Sequence, residues 1–308
     1  MRRLTTFLVT IVLIGCNQTK TPSTQAVATS EPTNALKESK VVIHKNVESK
    51  FVDARNVEVY LPKGYDENST EKYRVLYMHD GQNVFNPETS YTGIDWGVDE
   101  TLDSLLENGK IKKTIIVAAW NNGPKRFVEY MPKAPAEATA TPEAKKGLKD
   151  NTGFDQLYSD DYLQFLVEEL KPFIDKTYNV STLVEDTSVM GSSMGGLISL
   201  YAICKYPKVF GAAGCVSTHW PVPVLGDAFI GTLATSLPDP ETHKIYFDFG
   251  TEGLDAQYEP FQIKVDKIMA DKGYTQEKNW ITKKFEGAGH NEKSWKSRIH
   301  IPLEFLLN

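Results

Sequence analysis

The chain has 308 residues, of which 41% are hydrophobic and 24% are charged, and its formal net charge is -6 at pH 7. These values describe a globular chain with ample material for a core, and they exclude collagen, a coiled coil, a disordered chain and a polytopic membrane protein. The mildly acidic balance, without a long basic run, gives no electrostatic reason to expect nucleic acid as a partner.

The first sixteen residues differ from the rest of the chain. Arg2 and Arg3 precede an apolar run that is too short to span a hydrocarbon layer of about 30 Å, so it is typical of an export signal. The run ends in Leu-Ile-Gly-Cys at Cys16, which resembles the lipobox of bacterial lipoproteins. We expect residues 1–16 to be a lipoprotein signal and acylated Cys16 to anchor an exported protein to a membrane, on the periplasmic side or at the cell surface. An ordinary signal peptide that contains a cysteine is the alternative.

The next segment, residues 17–40, is rich in Thr, Ser, Pro, Gln and Ala. It has almost no large apolar side chains with which to offset its ordering entropy, so we expect a flexible tether. The folded body is expected at residues 41–308. No cysteine spacing in the chain is typical of a metal site.

Within this body, apolar runs of strand length alternate with longer amphipathic segments. The predicted elements in chain order are a strand at 73–78, a helix at 98–106, a strand at 114–119, a helix at 161–176, a strand at 187–190, a helix at 194–206, strands at 209–216 and 245–249, a helix at 258–272, a strand at 280–285 and a helix at 293–307 that Pro302 interrupts. Alternating strands and helices predict an α/β fold, with a mostly parallel central sheet and helices on both faces.

One short motif joins a predicted strand to a predicted helix. Gly191-Ser-Ser-Met-Gly195 fits the pattern GxSxG, which by itself is weak because chance produces it in roughly one chain of this length in ten. A strand is predicted before the motif and a helix after it. This context favours a functional motif over a chance match, since a strand, a sharp turn and a helix form a nucleophile elbow. Ser193 is therefore the candidate nucleophile.

A serine hydroxyl needs a base and a group that orients the base. His290 lies in a glycine-rich loop directly after the last predicted strand, where an imidazole could reach the elbow. For the acid we favour Asp255 over Glu252, because a longer path from the strand at 245–249 allows the chain to turn back toward His290. Such chemistry requires neither a metal nor an organic cofactor.

Ester chemistry also needs hydrogen-bond donors for the oxyanion. One is expected to be the backbone N–H of Met194, the residue after the nucleophile. The second is assigned to Gln82, in the loop His79-Asp-Gly-Gln-Asn83 after the first predicted strand, with Gly81 as the alternative. An ordinary Asp-Gly turn would explain the same loop without a catalytic role.

Taken together, these motifs resemble a known family. The resemblance rests on the loop 79–85, on Ser90-Tyr91, Asp95-Trp96, Lys125-Arg-Phe127 and Glu129-Tyr130, on the elbow, and on Gly289-His-Asn291 with Trp295. They resemble the "Putative esterase" family, which includes esterase D, feruloyl and acetyl xylan esterases of carbohydrate esterase family 1, enterochelin esterases and antigen 85 mycolyltransferases. The resemblance covers nearly all of residues 41–308, and it implies an α/β-hydrolase fold with a triad of Ser193, Asp255 and His290.

Aromatic and basic residues in the expected ligand-binding loops are candidates for substrate contacts. These candidates are Trp96, Arg126, Tyr130, His219 and Trp220. Each of them could equally be packing beneath a loop. A polar insertion at 132–151, rich in Ala, Thr, Pro and Lys, stands where a lid would be.

These observations predict a serine carboxylic ester hydrolase that acts through an acyl-enzyme. On the family resemblance alone, the expected substrate is an acylated saccharide from which acetyl or feruloyl-type groups are removed. The alternatives are a siderophore esterase of the enterochelin type, an acyltransferase, and a surface lipoprotein that binds glycan but has lost catalysis.

Overall fold

The computed structural model describes residues 35–139, 141–222 and 225–308. The expected signal, Cys16 and the first part of the expected tether, up to residue 34, lie outside this part of the chain. Among the residues that are described, no helix has both the length and the apolar character that crossing a membrane requires.

A single sheet of eight strands organises the body. In chain order the strands are β1 (Lys40–Val47), β2 (Arg55–Leu61), β3 (Arg74–Met78), β4 (Thr114–Ala119), β5 (Thr187–Ser192), β6 (Ala212–Val216), β7 (Lys244–Glu252) and β8 (Trp280–Gly289). Their spatial order is β1-β2-β4-β3-β5-β6-β7-β8. The pairs β1–β2 and β2–β4 are antiparallel and every later pair is parallel, which confirms the predicted mostly parallel sheet.

The central strands β3 and β4 are buried on both faces, which explains why most of their residues are apolar. In β3, Val75 and Tyr77 join one core, whereas Leu76 and Met78 join the other, because successive side chains of a strand point to opposite faces. Each face therefore needs a cover of helices.

Eleven helices form these covers in the described part of the chain. They are α1 (Val98–Glu107), α2 (Arg126–Tyr130), α3 (Lys133–Ala138), α4 (Pro142–Thr152), α5 (Ser159–Gln164), α6 (Lys171–Thr177), α7 (Met194–Lys205), α8 (Leu225–Ser236), α9 (Glu259–Asp271), α10 (Glu292–Lys296) and α11 (His300–Leu307). A π-helical segment, Phe165–Leu170, joins α5 to α6. Apolar residues of α1 and α11 belong to one core, and those of α5, α7, α8 and α9 belong to the other. This arrangement is the predicted α/β-hydrolase fold.

Three regions differ from the prediction made from sequence. The predicted helix at 293–307 is two helices, and Pro302 lies near the start of α11, where its missing N–H costs no helical hydrogen bond. The polar insertion at 132–151 contains α3 and most of α4. The folded body also starts before residue 41, because the Leu36 N–H donates to the Tyr65 carbonyl at 2.8 Å.

A buried ion pair joins β2 to α2, the helix that begins with Arg126. The Arg55 guanidinium donates to both carboxylate oxygens of Glu129, at 2.9 and 2.8 Å, and the two side chains are only 2% and 1% exposed. A charge at this depth is tolerated only when it is paired. The pair therefore fixes α2, and with it one wall of the cavity described below.

We expect Glu129→Ala to lower the free energy of unfolding by about 3–5 kcal/mol, because it leaves the Arg55 charge buried and uncompensated. Denaturant titration measures the effect. The matched control is Glu137→Ala, which removes an exposed carboxylate 3.9 Å from Lys133 and should cost less than about 1 kcal/mol. Equal losses in the two variants would contradict this account.

Candidate active site

The candidate residues meet at one edge of the sheet because parallel strands end on the same side. Gln82 follows β3, Ser193 follows β5, Asp255 follows β7 and His290 follows β8. Of these, Gln82, Ser193 and His290 line a common cavity of about 560 Å³. Arg126, which comes after β4, lines it as well.

Ser193 occupies a strained turn. Its backbone has φ 58° and ψ -120°, a conformation that costs a non-glycine residue about 1–3 kcal/mol. The Ser193 N–H donates to the Val216 carbonyl at 2.9 Å, which holds the turn against the neighbouring strand. A Cβ on Gly191 would lie 2.9 Å from the backbone of Gly195, so this turn requires the first glycine of the motif. The geometry is that of the predicted elbow.

His290 and Asp255 are in direct contact. The Nδ1 atom of His290 lies 2.6 Å from the Oδ1 atom of Asp255, and the imidazole is 15% exposed. Glu252, the alternative acid, is an exposed residue at the end of β7. The structure thus places Asp255, and not Glu252, against the imidazole.

The carboxylate of Asp255 is fully buried, and three donors surround it. Besides His290, the Ser217 hydroxyl and the Gly250 N–H each donate to Oδ2 at 2.7 Å. Burial by itself would raise the pKa of Asp255, but the hydrogen bonds from His290, Ser217 and Gly250 outweigh it and hold this pKa below its usual value. Asp255 is therefore ionised at neutral pH and favours the tautomer of His290 that carries its proton on Nδ1.

The Ser217 hydroxyl has a defined direction. Its oxygen accepts from Trp295 Nε1 at 3.0 Å and from Arg298 Nη2 at 2.9 Å, and neither group can act as an acceptor. The hydroxyl proton is thus left to point at Asp255. Arg298 is itself paired with the buried carboxylate of Asp248. Sequence reasoning missed Ser217 and Arg298, and no motif in the sequence indicated them.

A second contact on His290 comes from Tyr258, which sequence reasoning also missed. The Tyr258 hydroxyl lies 3.3 Å from His290 Nδ1 and 2.8 Å from His219 Nδ1. Burial, reinforced by the charge of Asp255, raises the pKa of Tyr258, so the hydroxyl keeps its proton. Because His290 Nδ1–H already faces Asp255, the Tyr258 proton is directed to His219. Burial lowers the pKa of His219 to about 4, with help from the charges of His290 and Arg126, so that ring is neutral and can accept.

Two backbone N–H groups are available at the predicted oxyanion positions. Within the described ranges, the N–H groups of Gln82 and Met194 donate to no backbone carbonyl. Met194 is the first residue of α7, where an unpaired N–H is expected. Gly81, the alternative donor, has a different constraint: a Cβ there would lie 2.6 Å from the Ala118 carbonyl oxygen, so a glycine lets this turn pack against β4.

Arg126 is held by Asp80. Its Nε and Nη2 atoms donate to the two carboxylate oxygens of Asp80, each at 2.7 Å, while its side chain remains 30% exposed. Asn121 also donates to Asp80 at 2.7 Å. Burial would raise the pKa of Asp80, but Arg126 and Asn121 keep it below its usual value. In the described part of the chain the third guanidinium nitrogen, Nη1, has no hydrogen-bond partner.

Three of the five expected substrate contacts are instead buried packing residues. Trp96 is 1% exposed and packs on Trp295, and Tyr130 is fully buried beside Tyr162. Trp220 is 1% exposed, and its indole N–H donates to the Gln262 side chain. Whether such a large aromatic side chain is buried depends on the elements that pack over it, and these are distant in sequence. Local sequence therefore does not distinguish a packing residue from a substrate contact. Of the five, Arg126 and His219 line cavities.

Comparisons with known proteins identify the family. The family model described as "Putative esterase" matches residues 49–301. The chain belongs to this family of ester hydrolases. A relative from Bacillus subtilis, the uncharacterized protein YbbA, is 25% identical over 260 residues, which is 82% of this chain and 92% of that protein.

Solved structures agree on the fold. An IroE-like serine hydrolase from Shewanella oneidensis superposes with a TM-score of 0.65 at 19% identity, covering 88% of this chain and 80% of that one. A ferulic acid esterase gives a TM-score of 0.63 at 20% identity, covering 88% of this chain and 98% of that one. At such identities the likeness establishes the α/β-hydrolase fold alone.

A buried histidine beside the site predicts a pH dependence of stability. His79 is 1% exposed, and its burial lowers its pKa to about 3, with the charge of Arg126 assisting and that of Asp80 opposing. Below a pH of about 6.5 the unfolded chain takes up a proton on this residue that the folded chain does not. His79 should therefore cost stability as pH falls from about 6.5 toward 3, by up to about 1.4 kcal/mol per pH unit.

The free energy of unfolding should fall less steeply in His79→Gln than in the wild type between pH 6 and 4. We expect the two slopes to differ by up to about 1.4 kcal/mol per pH unit. Urea titrations at a series of pH values measure both slopes. If the free energy of unfolding falls equally steeply with pH in the wild type and in the variant, His79 is not the source of this pH dependence. A constant difference in stability between the two proteins does not affect this test.

Proposed function

We propose that the protein is a serine carboxylic ester hydrolase that acts through an acyl-enzyme. One observation carries the proposal: an ionised, buried Asp255 contacts the imidazole of His290 at 2.6 Å, and His290 shares a cavity with a serine on a strained elbow. Strain of this kind is retained where it serves a function, because it lowers stability otherwise.

In the proposed reaction, Ser193 Oγ attacks the ester carbonyl carbon and its proton passes to His290 Nε2. The carbonyl oxygen, now negatively charged, accepts from the N–H groups of Gln82 and Met194. The C–O bond to the alcohol then breaks, and His290 returns the proton to the departing oxygen. In the second half, water loses a proton to His290 as its oxygen bonds to the acyl carbon. The bond between that carbon and Ser193 Oγ then breaks, His290 returns the proton to Oγ, and the acid leaves.

The proposed substrate is an acylated saccharide. The cavity beside Ser193 has polar walls, including Asn121, Glu292 and the exposed part of Arg126, and these groups suit hydroxyl-rich ligands. The unpaired Nη1 of Arg126 could donate to such a ligand, while Asp80 fixes the guanidinium. The name of the structurally similar ferulic acid esterase supports an acylated substrate.

We expect Ser193→Ala to lower kcat for any accepted ester by about a thousandfold or more while leaving the fold intact. Asp255→Asn should approach that loss, because it removes the charge that stabilises protonated His290, whereas the matched control Glu252→Gln should retain activity within about twofold. A fluorophosphonate should label the wild type with one adduct per chain, on Ser193.

The assay panel contains an acetylated and a feruloylated oligosaccharide and a catecholate siderophore ester. If only the siderophore ester is hydrolysed, the proposed acylated saccharide is wrong and the substrate is a siderophore ester. Absence of labelling and of hydrolysis in a folded preparation would overturn the esterase proposal and favour a glycan-binding protein.

We further propose that the protein is an exported lipoprotein held at a membrane through acylated Cys16. The sequence ending at Cys16 supports this proposal. Expression of the full chain in a bacterial host should place the wild type in the detergent phase of a Triton X-114 extraction, since two or more acyl chains give stable anchoring. Cys16→Ser should move it to the aqueous phase or block its processing, and identical partition of the two would contradict the proposal.

A further inference from the structure

A second cavity, of about 610 Å³, lies beside helix α4. The wall on the side of α4 is formed by Glu143, Ala144, Gly147, Leu148, Asn151 and Thr152. The other wall includes Phe127, Val222 and Leu225. We call this space the α4 groove. Its surface is more apolar than that of the cavity that contains Ser193, which is lined mainly by charged and other polar side chains and is called the polar cavity below.

Helix α4 is well formed yet poorly packed. Its first turn is capped by the Thr141 side chain, which accepts from the Ala144 N–H at 3.2 Å, and its end is closed by Gly153 in the left-handed conformation. None of the residues of α4 is buried. Lysines cover its outer side, while Leu148 packs partly against the core and also lines the groove. A capped helix that has no fully buried residue and borders an apolar groove is suited to hold a ligand between itself and the body.

The α4 groove starts next to the nucleophile. His219 lines it, and the His219 N–H donates to the carbonyl of Ser193 at 3.1 Å. The rings of His219 and His290 are 6.3 Å apart between centroids. On the other side, Phe127 of the groove directly follows Arg126 of the polar cavity. Ser193 itself lines the polar cavity, and His219 brings the α4 groove close to Ser193 from a second direction.

The chemistry of an ester assigns its two halves to the two cavities. The alcohol half must leave with a proton from His290, and Glu292 and Trp295, which follow His290 along the chain, line the polar cavity. A hydroxyl-rich alcohol suits those walls. The acyl half extends away from the departing oxygen, and the α4 groove is an apolar space that His219 links to Ser193.

We propose that the α4 groove binds the acyl half of the substrate, and that this acyl group is apolar and larger than acetyl. This inference rests on the proposed esterase function and narrows its substrate class. It also gives the insertion at 132–151 a role: its helix α4 is one wall of the acyl site.

The test uses mono-acyl esters of one methyl glycoside, with acetyl, butyryl, hexanoyl and cinnamoyl groups, so that the alcohol half stays constant. In the wild type, kcat/KM should rise from the acetyl to the hexanoyl ester by about twofold to fourfold for each added methylene. This is the increase expected when each methylene is partly or fully buried in the groove. The cinnamoyl ester should also exceed the acetyl ester.

Gly147 offers a way to fill the groove. A Cβ on Gly147 meets nothing within 4 Å, and its backbone φ is not positive, so a larger residue fits the helix there. Gly147→Leu should lower kcat/KM for the hexanoyl ester by about tenfold or more and leave the acetyl ester within about twofold. Lys149→Leu is the matched control, because it places leucine on an exposed position of the same helix that does not line the groove. It should keep the chain-length profile of the wild type.

The outcomes separate this inference from the function on which it rests. Acetyl ester hydrolysis that depends on Ser193, combined with a flat acyl profile or with no effect of Gly147→Leu on the hexanoyl ester, would overturn the acyl site alone. If the wild type hydrolyses none of these esters, the esterase proposal itself is overturned.

Discussion

The candidate active site depends on a negative charge kept out of water. Asp255 is fully buried, and an isolated carboxylate there would take up a proton instead of remaining ionised. Three donors prevent this: His290, Ser217 and the Gly250 N–H. The strand ends that supply them, from β6, β7 and β8, must therefore keep their register for the imidazole to stay in place.

That charge is supported by a second layer of polar contacts. The Ser217 hydroxyl can donate to Asp255 because Trp295 and Arg298 occupy its acceptor positions, and Asp248 compensates the charge of Arg298. A network of buried polar side chains destabilises a protein when some of their hydrogen bonds are missing. When every hydrogen bond is made, the network holds its side chains in a single arrangement. The contact between Asp255 and His290 thus depends on the sheet edge and on Trp295 of α10 as well as on the two residues themselves.

The sequence predicted the parts of this arrangement that have a local signature. The apolar runs at 114–119 and 187–190, the glycine-rich elbow and the loop before His290 each carry their pattern within a few residues. Tertiary context decided the others. Trp96 and Trp220 are buried by elements distant in sequence, and Ser217 and Tyr258 act through partners that no spacing rule brings together. Strands β1 and β2 mix polar and apolar residues along their length, and neither is among the predicted strands.

In the described part of the chain, no further strand pairs with the outer edges of β1 and β8, the two outer strands of the sheet. Charged side chains lie along both, including Lys40 and Lys45 on β1 and Lys284 and Glu286 on β8. Lysines on an outer strand oppose the addition of a strand from another molecule. Neighbouring copies could thus be crowded together without joining their sheets into aggregates, which matters for any protein concentrated on a surface.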